Sequence, residues 1–108
     1  MVTEVEPKEV ARRLKGAPGK VVLLDVREVF ERQVAVIQPS IHIPMGEIPE
    51  RVEEIPKDRD VIVYCHSGSR SMMVAGYLES LGFERVANLS GGIDAWSVEV
   101  DSSVPRYN

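Results

Sequence analysis

The sequence predicts an α/β fold: a three-layer sandwich with a mostly parallel central sheet and helices on both faces. Three observations lead there. Short apolar runs alternate with helix-like stretches along the whole chain. The run Val21-Val22-Leu23-Leu24-Asp25-Val26 is continuously apolar save for Asp25, as expected of a strand buried on both faces. A second run, Val61-Ile62-Val63-Tyr64, leads directly into a small-residue loop and then a helical pattern, the order of a strand–loop–helix unit.

Each element has its own signal. Pro7 to Gly16 reads as a helix, with proline at the first helical position, glycine at the stop, and Val10, Ala11 and Leu14 on the buried stripe. Ala17-Pro18-Gly19 is a turn. After the strand 21–26, Arg27 to Gln33 reads as a short charged helix, and Ser40 to Ile43 as a brief strand stopped by Pro44. Glu47 to Ile55 is a weak helix with Pro49 near its start. A turn from Pro56 to Asp60 precedes the strand 61–64. Ser71 to Leu81 is the strongest helix, with Val74, Ala75, Leu78 and Leu81 on its apolar face. Arg85 to Leu89 is a strand, Ile93 to Val98 a helix, and the segment through Pro105 has no periodicity.

Composition narrows the function. The 108 residues fit one domain, residues 1–108, with 44% hydrophobic and 28% charged residues. The formal net charge of −4, from 13 basic and 17 acidic residues, gives no support to nucleic-acid binding. No apolar run approaches the ~20 residues that span a bilayer, so no membrane role is expected. The polar, acidic start from Met1 to Lys8 does not read as a signal peptide, which makes cytoplasmic the default location. Cys65 is the one cysteine, and the two histidines, His42 and His66, are dispersed. That excludes an internal disulfide and gives no metal site, and no cofactor is expected. Gly91-Gly92 lacks the spacing of a nucleotide fingerprint.

The chemistry concentrates in Cys65-His66-Ser67-Gly68-Ser69-Arg70-Ser71. A thiol that ends a buried strand and opens a helix lies beside unpaired helix N–H groups, which favour the thiolate, the reactive form. Arg70 adds a cation. Gly68 allows the positive φ that a curled loop needs, so the backbone N–H groups from His66 to Arg70 can form an anion nest, with hydroxyls of Ser67, Ser69 and Ser71 as further donors. A free cysteine is often merely a small buried hydrophobe. Gly68 and Arg70 tip the balance to the reactive reading. His66 reads as a solvent-facing loop residue that could also serve as an acid–base group. Asp25, Arg27 and Ser71 are supporting candidates, with Arg27 and Glu31, four apart, as an ion pair bracing the site. His42 and Trp96 read as structural.

The pattern Cys-x-x-Gly-x-Arg-Ser resembles the active loop of single-domain rhodaneses, the sulfurtransferases. Asp25-Val26-Arg27, Glu31 and Ile41-His42-Ile43-Pro44 resemble the family's first half, and Gly82-Phe83, Val86, Asn88-Leu89 and Gly91-Gly92-Ile93-Asp94-Ala95-Trp96 its second. The segment Ala35-Val36-Ile37-Gln38-Pro39-Ser40 departs from the family's glycine–histidine–isoleucine pattern. The resemblance implies a five-stranded sheet and a persulfide on Cys65. A small anionic sulfur donor such as thiosulfate would load it, and cyanide or a thiol, including a protein thiol, would unload it, in ping-pong fashion. A persulfide relay that delivers sulfur to a partner protein is the alternative. Phosphatases and arsenate reductases of related fold use Cys-x5-Arg. Here four residues separate Cys65 from Arg70, a tighter loop suited to sulfur rather than a tetrahedral phosphate.

Overall fold

Strand-length apolar runs and helices do alternate, and in the computed structural model, which describes residues 2–108, five strands join one sheet. They are β1 (Thr3–Val5), β2 (Val21–Asp25), β3 (Ile41–His42), β4 (Asp60–Tyr64) and β5 (Val86–Leu89). The spatial order is β1-β5-β4-β2-β3, and every neighbouring pair is parallel. Parallel pairs require crossovers, which the helices supply. These are α1 (Pro7–Gly16), α2 (Val29–Val34), α3 (Ile48–Arg51), α4 (Ser69–Ser80) and α5 (Gly92–Glu99).

The two-residue repeat of a strand divides the core into two layers. Leu23, Ile62, Tyr64, Ala87 and Leu89 pack on one face with Val10 of α1 and Ile93 and Trp96 of α5. Leu24, Val61, Val63 and Val86 pack on the other with Ile48, Val74, Ala75 and Leu78, and Cys65 joins this layer. Each fully buried aliphatic side chain contributes about 1.5–3 kcal/mol. β4, between β2 and β5, is therefore covered on both faces and both edges, and it gives the Cys65 loop a rigid base.

Several boundaries differ from the sequence expectation, each for a local reason. β1 has no apolar run; it is a three-residue edge strand in which Val5 alone is buried. α2 begins at Val29, because Glu28 caps it through a reciprocal capping box with Glu31 and Arg27 is left in the preceding turn. The stretch 45–54 is a 3-10 turn, the short α3 and a second 3-10 turn. α4 begins at Ser69, two residues early, and Leu81 lies beyond its end, 41% exposed instead of buried. On α1, Val10 is buried, while Ala11 and Leu14 are only partly covered.

The segment 35–40, which departs from the family pattern, is fastened by neighbouring side chains. Arg27 Nη2 donates to the Ala35 carbonyl at 2.7 Å, the Ile37 N–H donates to the Tyr64 hydroxyl at 3.3 Å, and Arg32 Nη1 donates to Ser40 Oγ at 2.9 Å. Among the described residues no helix is long and apolar enough to cross a membrane.

Candidate active site

Cys65 comes directly after the last residue of β4, at the carboxyl edge of the sheet, and is 1% exposed. The chain then curls. Gly68 has φ of +111°, a conformation that side chains rarely adopt, and stands as the N-cap of α4. A helix normally satisfies an early N–H through an N-cap side-chain oxygen. Gly68 has no such oxygen, and the Cys65 sulfur takes its place. Sγ accepts from the Ser71 N–H at 3.3 Å, from the Gly68 N–H at 3.1 Å and from the Ser71 hydroxyl at 3.3 Å. Three donors thus converge on one sulfur at the N-terminus of α4.

Ser71 has a second neighbour, Asn88 Oδ1, 2.5 Å from its Oγ. Asn88 Nδ2 donates to the Gly68 carbonyl and to Glu4, each at 3.1 Å, which turns Oδ1 toward Ser71. The single hydroxyl proton can therefore serve Asn88 while the sulfur carries its own hydrogen, and serve the sulfur when it does not. Ser67 and Ser69 are exposed, and among the described residues Ser71 supplies the one loop hydroxyl that reaches Sγ.

The loop also leans on the start of α5. The Ile93 N–H donates to the Cys65 carbonyl at 2.9 Å and the Asp94 N–H to the His66 carbonyl at 3.1 Å. This approach explains Gly92: with φ of +63°, a Cβ there would lie 2.6 Å from the Cys65 carbonyl oxygen and closer still to that of His66. The glycine pair that fits no nucleotide fingerprint instead lets two helix N-termini meet at one loop.

The charged residues pair differently from the sequence expectation. Arg70 Nη1 and Nη2 donate to the two carboxylate oxygens of Glu31 at 2.7 and 2.9 Å. The Arg70 guanidinium, helped by the Tyr107 hydroxyl, overcomes burial and holds the Glu31 carboxyl at about 2. Arg27 does not pair with the Glu31 carboxylate. It precedes α2, so helical i,i+4 spacing does not apply, and it is fully buried on Asp25, with Nε and Nη2 each 2.9 Å from a carboxylate oxygen. Burial works against the Asp25 charge, but Arg27 and Arg32 outweigh it and hold the carboxyl below its ordinary range. Asp25 and Arg27 thus brace the sheet edge without touching Sγ. His42 Nε2 lies 2.7 Å from the Arg27 carbonyl oxygen, a structural role.

His66 is not the solvent-facing residue expected. Its ring stacks on that of Tyr107, with centroids 4.3 Å apart and planes at 23°, and its Nε2 is buried with no hydrogen-bond partner among the described residues. Tyr107 and Asn88 are site residues that sequence reasoning misses. A polar Asn inside a buried strand is the signal for one; Tyr107, in a segment without periodicity, offers none. No group of three metal-ligating side chains occurs among the described residues.

Comparison with known proteins agrees with this fold. The Rhodanese-like domain family model matches residues 6–99. The chain is similar to a sulfurtransferase of Allochromatium vinosum, 43% identical over 97 residues that cover 90% of each chain. It is similar to the thiosulfate sulfurtransferase GlpE of Tolumonas auensis, 33% identical over 76 residues covering 70% of this chain and 72% of the other. The crystal structure of a rhodanese-related protein from Thermoplasma volcanium superposes with a TM-score of 0.82 at 30% identity, covering 91% of this chain and 93% of that one. The chain belongs to the rhodanese-like domain family, and its relatives there support sulfur transfer of the rhodanese type.

Proposed function

We propose that residues 1–108 act as one rhodanese domain that moves a sulfane sulfur from a donor such as thiosulfate to cyanide or a thiol, through a persulfide on Cys65. The observation that carries this reading is the convergence of the Gly68 N–H, the Ser71 N–H and the Ser71 hydroxyl on one sulfur. The Cys65 thiolate attacks the outer sulfur of thiosulfate; the sulfur–sulfur bond breaks and sulfite leaves with the bonding pair. The acceptor then attacks the outer sulfur of the persulfide, and the Cys65 thiolate leaves with its pair restored. Loop N–H groups from His66 to Arg70 stabilise the anions of both halves, in the manner of an oxyanion hole. Ser71 tracks the charge on sulfur by rotating its proton, and Arg70 draws the anionic donor.

Thiosulfate as donor draws support from the likeness to GlpE. With one cysteine in the chain, no second thiol is present to resolve the persulfide, so the sulfur leaves to an external acceptor. The same fact accommodates a relay in which that acceptor is a protein thiol. An unpaired cysteine also suits a reducing cytoplasm. Steady-state kinetics with thiosulfate and cyanide test the reading: parallel double-reciprocal lines with thiocyanate as product are expected, and intersecting lines contradict the covalent intermediate. Faster transfer to a protein thiol than to cyanide would favour the relay.

A further inference from the structure

Tyr107 reaches the site from two sides. Its hydroxyl donates to Glu31 Oε2 at 2.7 Å and accepts from Arg27 Nη1 at 2.9 Å. Glu31 in turn holds both terminal nitrogens of Arg70. The Tyr107 ring stacks on His66. His66 is the first residue after the nucleophile and Arg70 the fifth, so one side chain braces both ends of the loop. The anchor is rigid. Arg27 is fully buried and tied to Asp25 at the end of β2. With one donated and one accepted bond, the hydroxyl has a fixed orientation. Burial, foremost, pushes Tyr107 up to about 12, so it remains a donor at any ordinary working pH. Arg70, by contrast, has a long side chain, 31% exposed, which would sample many rotamers without a fixed partner.

We propose that Tyr107 is a positioning residue for the sulfur donor: through Glu31 it fixes the Arg70 guanidinium at the loop, where an anionic donor is received. This rests on the reading that Arg70 draws the donor. Tyr107 touches neither sulfur nor donor. Its effect belongs on the capture of anions and not on the intrinsic reactivity of Cys65.

Alkylation of Cys65 separates the two. Iodoacetate is an anion and iodoacetamide is neutral, and both report on the same sulfur without any sulfur transfer. In Tyr107→Phe, which keeps the ring and removes the hydroxyl, the ratio of iodoacetate to iodoacetamide rates is expected to fall about fivefold, the net scale of one ordinary hydrogen bond. In an Arg70→Ala background the same Tyr107→Phe step is expected to leave the ratio unchanged. KM for thiosulfate is expected to rise by about the same factor in Tyr107→Phe, with kcat held. An unchanged ratio in Tyr107→Phe overturns the proposal. So does an equal slowing of both reagents, which marks a merely structural role, and so does the same fall in the Arg70→Ala background. Failure of the wild-type chain to form thiocyanate would instead strike the sulfur-transfer reading, and the alkylation result would stand apart from it.

Discussion

Replacing Glu31 with glutamine removes one charge and keeps the shape of the side chain. In the folded chain this carboxylate accepts from both Arg70 terminal nitrogens, from the Tyr107 hydroxyl and from the Glu28 N–H. These donors, Arg70 foremost, bring its pKa from 4.5 to about 2. At about 1.4 kcal/mol per pH unit, a gap of that size corresponds to about 3 kcal/mol. Arg70 is 31% exposed, so solvent screens the pair. We therefore expect about 2 kcal/mol. The folded pKa lies below the unfolded one, so this stabilisation is complete above pH about 4.5 and is lost as pH falls toward about 2. The assay is urea unfolding of wild type and Glu31→Gln at a series of pH values. Other carboxylates, Asp25 among them, titrate in both proteins and cancel in the difference. The two stability curves should stand about 2 kcal/mol apart at neutral pH and converge through the acid window. An offset that persists unchanged to low pH would refute the reasoning, because a loss independent of protonation comes from shape and not from charge.

The remaining predictions concern the loop and its supports. Gly92→Ala sets a Cβ against the Cys65 and His66 carbonyls at a positive φ, and should cost on the order of 3 kcal/mol and slow alkylation of Cys65. Gly68→Ala meets nothing closer than 3.6 Å, so it carries backbone strain alone. It should cost about 1–2 kcal/mol, and the reverse order in denaturant unfolding would contradict the geometry. Asp25→Asn leaves the buried Arg27 cation without its counter-charge, and a loss of about 3–5 kcal/mol in urea unfolding is expected. Ser71→Ala removes one of the three donors to Sγ and the partner of Asn88 Oδ1. A stability loss of about 1–3 kcal/mol and slower iodoacetamide labelling are expected, and an unchanged labelling rate counts against the donor role.

What is legible in the sequence depends on the range of the interaction. β4 and α4 are written in local pattern: an apolar run, then apolar residues at helical spacing. The Cys65–Gly68–Ser71 cradle is local too, and Gly68 announces its positive φ by being glycine. The start of α4 escapes the pattern because its cap is a sulfur three residues upstream of a glycine, a combination outside the usual capping residues. β1 escapes it because an edge strand of three residues needs one buried side chain, too little for a periodicity to show. The i,i+4 rule pairs Glu31 with Arg27 because it sees near neighbours, whereas the true partner, Arg70, is 39 residues away. Tyr107 is 76 residues from Glu31, and nothing short of the folded chain brings them together.

The central claim is that Cys65 carries sulfur as a persulfide, and intact-mass measurement after incubation with thiosulfate tests it most directly. The account predicts a gain of one sulfur atom that cyanide removes, with release of thiocyanate, and that is absent in Cys65→Ser. A chain that gains no sulfur from thiosulfate or from a low-molecular-weight persulfide, or a gain that survives in Cys65→Ser, would contradict it.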